Sequence, residues 1–127
     1  MVKAIQFHKT GRPSVIKWEE VKLGKPRKGQ ALVRHTAIGL NYIDTYQRSG
    51  MYPMPLPSGL GMEAAGVVEA VGAGVKHVKA GDRVAYGSGA PGAYSEARVM
   101  DAATLVKIPR GIPDEAAAAM MLKGMTV

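Results

Sequence analysis

The run EAAGVVEAVGAGVKHV, Glu63–Val78, decides the fold class. Gly72 and Gly74 supply the first two glycines of a dinucleotide-binding fingerprint, which would announce a parallel α/β sheet. The third glycine would fall at position 77, where the chain has His77. The fingerprint must also open a helix, whereas VKHVKAGDRV reads as a turn followed by a strand. The run is therefore a long strand over Glu63–Val75, with Gly66 bending it or admitting a close neighbour. One ionisable group stands at its apolar, glycine-flanked start. A carboxylate is rarely buried without a partner. Glu63 is thus a catalytic group, a metal-site residue or a buried structural acid.

Outward from that run the chain keeps to short strands. Val2–His8 alternates, with Val2, Ala4 and Gln6 on one face; VIKWEEV, Val15–Val21, follows a TGRPS turn. QALVRHTAIG, Gln30–Gly39, sets Ala31, Val33, His35 and Ala37 against Leu32, Arg34, Thr36 and Ile38. Asn41 is an N-cap and Gly50 a left-handed stop, so a helix of about two turns fits between them. Prolines at 53, 55 and 57 make the next segment an extended loop. KAGDRVAYG, GAYSEARVM and TLVKIP supply further strands, giving about seven in all. The acids of DEAAAAMMLKGM and its late Lys123 then mark a helix over Asp114–Met125. The pattern predicts a mainly β, partly barrelled domain with a short internal helix and a C-terminal helix.

The bulk properties narrow the chemistry. The chain has 127 residues, of which 46% are hydrophobic and 21% charged, enough for one domain with a real core. There is no cysteine, so disulfides and thiolate metal sites are excluded. No signal-peptide core and no apolar run of about 20 residues is present, so no membrane span is expected and a cytoplasmic location follows by default. The net charge is +7, but its one tight cluster, KPRKG at Lys25–Gly29, reads as a solvated turn. His8, His35 and His77 each lack a second ligand at metal spacing. The serines have no evident base partner, which argues against a triad.

Three blocks carry a family resemblance: AIGLNYIDTYQRSGMYP (Ala37–Pro53), LPSGLGMEAAGVVEAVGAGVKHVKAGDRV (Leu56–Val84) and LKGMTV (Leu122–Val127). In order and spacing they resemble the N-terminal, GroES-like domain of the medium-chain dehydrogenase/reductases, within them the NADPH:quinone oxidoreductases of the zeta-crystallin branch. The resemblance implies a partly open β-barrel over residues 1–127, ending in the helix that leads into a Rossmann cofactor domain absent from this sequence. It implies NADPH as cofactor, bound mostly by that second domain, and a quinone as acceptor. Zinc-dependent relatives place a cysteine at the position of Asn41 and Gly-His-Glu at that of Gly61-Met62-Glu63. Asn41 and Met62 are poor zinc ligands, so the resemblance implies an enzyme without metal, suited to an acceptor that is already electrophilic.

Carried over residue by residue, the resemblance places Asn41, Ile43, Asp44 and Tyr46 in the cleft facing the nicotinamide and the substrate. Tyr52 would flank the quinone ring, and Lys123 and Thr126 would lie near the ribose and carboxamide. Read without it, Asn41 is a cap, Asp44 a first-turn acid and Tyr46 a core aromatic. Glu63 becomes a buried structural acid behind the cleft, with no residue required to act as general acid. The alternatives are an enal or enone reductase of the same superfamily, an RNA-binding module that exploits the positive charge, and a GroES-like ring subunit. The isolated chain is expected to be inactive. A homo-oligomer is compatible with the intact family.

Overall fold

The computed structural model describes residues 2–39, 41–50, 56, 58–87 and 91–118. Its strands are β1 (Val2–Phe7), β2 (Ile16–Val21), β3 (Gln30–Gly39), β4 (Ser58–Gly59), β5 (Glu63–Val71), β6 (Arg83–Tyr86), β7 (Ala97–Asp101) and β8 (Val106–Lys107), and helix α1 (Tyr42–Ser49) follows β3. They form a three-stranded sheet, β2-β1-β4, and a five-stranded sheet, β7-β3-β5-β6-β8, with every pairing antiparallel. The barrel is therefore open, as the sequence predicts for a mainly β, GroES-like domain. The eighth strand is β4, two residues pairing with Gln6 and Phe7 just after the proline-rich segment that reads as a loop.

Most strands are shorter than their sequence patterns. The run at Glu63 ends as a strand at Val71, because Gly72 turns in against the 26–30 segment. Its N–H donates to Gln30 O at 2.8 Å, and a Cβ there would lie 1.8 Å from the Arg27 carbonyl oxygen. That contact is the physical reason for the glycine that imitates a nucleotide fingerprint. Gly66 does admit a close neighbour: a Cβ would stand 2.3 Å from Arg34 O, beside a register shift between His35 and Ala37. In β1 the expected face of Val2, Ala4 and Gln6 gives way beyond Ala4, and Phe7 is fully buried, because β4 covers that end.

The segment before β7 joins the two sheets. The strand expected over Gly92–Met100 begins only at Ala97, because Ser95 N–H donates to Ala93 O and Ser95 Oγ to Gly92 O, turning the backbone. Residues 94–96 then form a seam. Ile5 N–H donates to Tyr94 O at 2.7 Å and Glu96 N–H to Lys3 O at 3.0 Å on the β1 side, while His35 N–H donates to Glu96 O at 2.9 Å on the β3 side. Valine, alanine and Tyr86 fill the main core between the strands. Phe7, Val15 and Leu60 make a second cluster under β1.

Residues 114–118 are helical. Ala117 and Ala118 pack on Ala65 and Ala85, where four small side chains let helix and sheet approach closely. Asp114 ties this helix down by accepting from Thr36 Oγ1 at 2.6 Å and from Arg83 Nε at 3.0 Å. The rest of the helix expected to Met125 lies outside the described residues. Among the described residues no helix is long and apolar enough to cross a membrane.

Candidate functional site

The helix α1 sets the geometry. Asn41 is its N-cap in extended backbone conformation, and Gly50 ends it at φ 91°, both as the local sequence predicts. Asn41 and Asp44 close a capping box, with Asn41 N–H donating to Asp44 Oδ2 at 3.2 Å. The buried face of the helix carries Asn41, Asp44 and Gln47, at the three-residue spacing of one helical side.

Glu63 faces this turn from the start of β5. It is fully buried, and Asn41 Nδ2 donates to its Oε1 at 2.8 Å. Its cross-strand partner is Gly39. A Cβ on Gly39 would meet Glu63 Oε1 at 2.3 Å and its Cγ at 2.4 Å, so the acid occupies the space that the glycine leaves. The spacing of Gly39, Asn41 and Glu63 thus creates a pocket for one carboxylate and supplies one of its donors.

Tyr94 completes the cluster from the seam. Its hydroxyl donates to Asp44 Oδ2 and stands 3.5 Å from Gly39 O. Burial foremost, then the bond to Asp44 and the charges of Asp44 and Glu63, push the Tyr94 phenol above its ordinary pKa, so it remains a donor. Asp44 Oδ1 and Gln47 Oε1 are buried without a hydrogen-bond partner among the described residues. Tyr94 and Ile5 also line two adjoining apolar hollows. One, of about 210 Å³, runs past Ile16, Leu60 and Arg48; the other, of about 400 Å³, lies against Trp18 and Ile38.

The structure brings Asn41, Asp44 and Glu63 together. It does not add Tyr46, which is 37% exposed and lies two residues, about 200° around the helix, from Asp44. The side chain of Ile43 and the whole of Tyr52, Lys123 and Thr126 lie outside the described residues. Sequence reasoning missed Gln47 and Tyr94. Nothing local marks Tyr94, whose partner Asp44 is 50 residues away.

The three histidines are engaged elsewhere. His8 pairs with Glu19, His77 Nε2 lies 2.7 Å from Ala102 O, and His35 bonds Ser95 O and the Tyr86 hydroxyl. The residues at the zinc-ligand positions do not fit a zinc ion. The Asn41 amide nitrogen is committed to Glu63, and the Met62 thioether receives Gln47 Nε2 at 3.7 Å, leaving Glu63 as the one anionic donor. Among the described residues, no three His, Cys, Asp or Glu side chains come together.

Residues 27–110 match the family model described as the alcohol dehydrogenase GroES-like domain. The chain is 54% identical to a quinone oxidoreductase of Pseudomonas aeruginosa, over 99% of its own length and 39% of the relative's. It resembles the solved quinone oxidoreductase of Pseudomonas syringae with a TM-score of 0.96 and 55% identity, covering 99% of this chain and 39% of that one. A quinone oxidoreductase of Escherichia coli solved in complex with NADPH superposes with a TM-score of 0.94 at 51% identity, covering 98% of this chain and 38% of that one. The chain therefore spans about 39% of the length of the curated relatives it matches.

Proposed function

Because the chain belongs to the alcohol dehydrogenase GroES-like domain family, we propose that it forms the substrate side of an NADPH-dependent quinone oxidoreductase that works without zinc. The observation that carries this reading is the similarity, over nearly the whole chain, to the Escherichia coli enzyme solved with NADPH. The remaining length of such relatives is where a Rossmann cofactor domain belongs in this proposal. The setting is cytoplasmic.

In this reading the N-cap Asn41, together with Ile43 and Tyr46 of α1, faces the nicotinamide and the acceptor, and Asp44 fixes the turn that presents them. Tyr52 flanks the quinone ring, while Lys123 and Thr126 lie by the ribose and carboxamide. The exposure of Tyr46 supports a role for its ring against a planar partner. NADPH, when bound, supplies the hydride. The chain's own contribution is to align the acceptor, exclude water and hold the amide of Asn41 in one orientation. Protons reach the reduced oxygens from solvent, so no side chain serves as general acid. The donor set of Asn41, Met62 and Glu63 supports the zinc-free reading. Glu63, sealed behind Gly39, is a structural acid and not a reacting group.

The test is a chimera in which this chain replaces the matching N-terminal portion of the Escherichia coli relative. It is expected to oxidise NADPH with 1,4-benzoquinone. Loss of quinone turnover in a folded chimera, or far faster turnover of an α,β-unsaturated ketone, defeats the proposal.

A further inference from the structure

We propose that Tyr94 is a positioning residue for the cleft, holding the first turn of α1 through Asp44 so that Asn41 meets the acceptor in a single orientation. This rests on the functional reading above and adds to it a residue outside the helix.

Tyr94 is itself well fixed. Its N–H donates to Leu60 O at 2.9 Å and its carbonyl accepts from Ile5 N–H at 2.7 Å, so its backbone is held between β1 and the approach to β5. From this anchor the hydroxyl reaches Asp44 Oδ2. Asp44 is 2% exposed and its other oxygen, Oδ1, has no hydrogen-bond partner among the described residues. The second donor to Oδ2 is the N–H of Asn41, a bond internal to the helical turn. Among the described residues, Tyr94 is therefore the donor that ties this buried carboxylate to a part of the molecule outside its own turn. Loss of a donor from a buried charged group is among the more disruptive single changes.

Asn41 is consequently gripped from two sides. Its backbone is held through Asp44 by Tyr94, which belongs to the seam with β1. Its side chain is held by Glu63 on β5 of the other sheet. Releasing the first grip leaves the amide attached to Glu63 but frees the turn to shift, and small displacements of an aligning group weigh on the chemical step more than on cofactor affinity.

Tyr94→Phe removes the hydroxyl and keeps the ring. In the chimera, kcat is expected to fall about tenfold at unchanged KM for NADPH. The ratio of kcat/KM between an unsubstituted and a ring-fused quinone should shift by about threefold or more, a readout independent of the fraction of folded enzyme. Val15→Ala thins the apolar cluster on which Tyr94 packs; it should lower stability and leave that ratio alone. An unchanged ratio in Tyr94→Phe, or an equal shift in Val15→Ala, overturns the proposal. Independently of activity, Tyr94→Phe in the chain itself should move the Asn41 side-chain amide resonances and speed amide exchange in the first turn of α1. If both stay as in the parent, the proposal falls whatever the chimera does; a chimera that is inactive before substitution counts against the functional reading instead.

Discussion

Gly39 and Glu63 show how much can hang on the absence of one methyl group. The glycine is opposite the acid across the β3–β5 ladder, and the acid's side chain lies where a Cβ would be. Because Asn41 pins Glu63 and the side chain is fully buried, the carboxylate has nowhere to retreat. Gly39→Ala should therefore destabilise by about 3 kcal/mol, the upper range for overpacking with a disturbed buried charge. Combined with Glu63→Ala, the added methyl gains room, and the double variant should be at least about 1 kcal/mol more stable than the sum of the single losses predicts. Urea unfolding of the four proteins reads this out; strictly additive losses would show that the two side chains do not compete for the same space. Glu63 itself was visible in the sequence as an acid in an apolar run. Its identity as a sealed, hydrogen-bonded group needed the register that sets Gly39 across from it.

At the scale of elements, the link between β3 and the seam runs through His35. Its Nδ1 lies 2.8 Å from Ser95 O and its Nε2 2.7 Å from the Tyr86 hydroxyl, with Arg98 over the Tyr86 ring. Burial, opposed by the Ser95 carbonyl and reinforced by the Arg98 charge, lowers the His35 pKa from 6.5 to about 4. The folded state thus refuses a proton that the unfolded chain accepts between these values. Stability should fall as pH drops from 6.5 towards 4 and level off below for this group, a loss on the order of 3 kcal/mol. His35→Gln should flatten that window in urea midpoints measured against pH; an unaltered slope would assign the titration to another group. The same scale shows what local sequence can reveal. The ends of α1 were legible because Asn41 and Gly50 act within their own turn. The break before β7 was not, because hydrogen bonds of Ser95 turn a segment whose residue pattern still reads as strand. β4 was hidden because its two residues become a strand only through Gln6 and Phe7, far away in the sequence.

For the molecule as a whole, the seam at 94–96 determines whether two sheets behave as one body. Donors from β1, β3 and the seam itself cross there, and Lys3 N–H adds a bond to the Glu96 carboxylate at 2.7 Å. We expect the amides of Ile5, His35 and Glu96 to exchange with the same opening free energy as Val33 in the five-stranded sheet. Exchange of the seam amides well ahead of Val33 would mean that the three-stranded sheet opens separately. The mainly β architecture and its open barrel were legible from strand patterns, whereas this junction is made of backbone bonds that no pattern announces. The hollow beside the seam has a practical consequence. Its wall includes Trp18, 54% exposed on β2 and the chain's one tryptophan. Indole emission from this protein therefore has a single origin, next to Ile5 and Tyr94, and its colour and quenching report the wetting of that hollow without any attached dye.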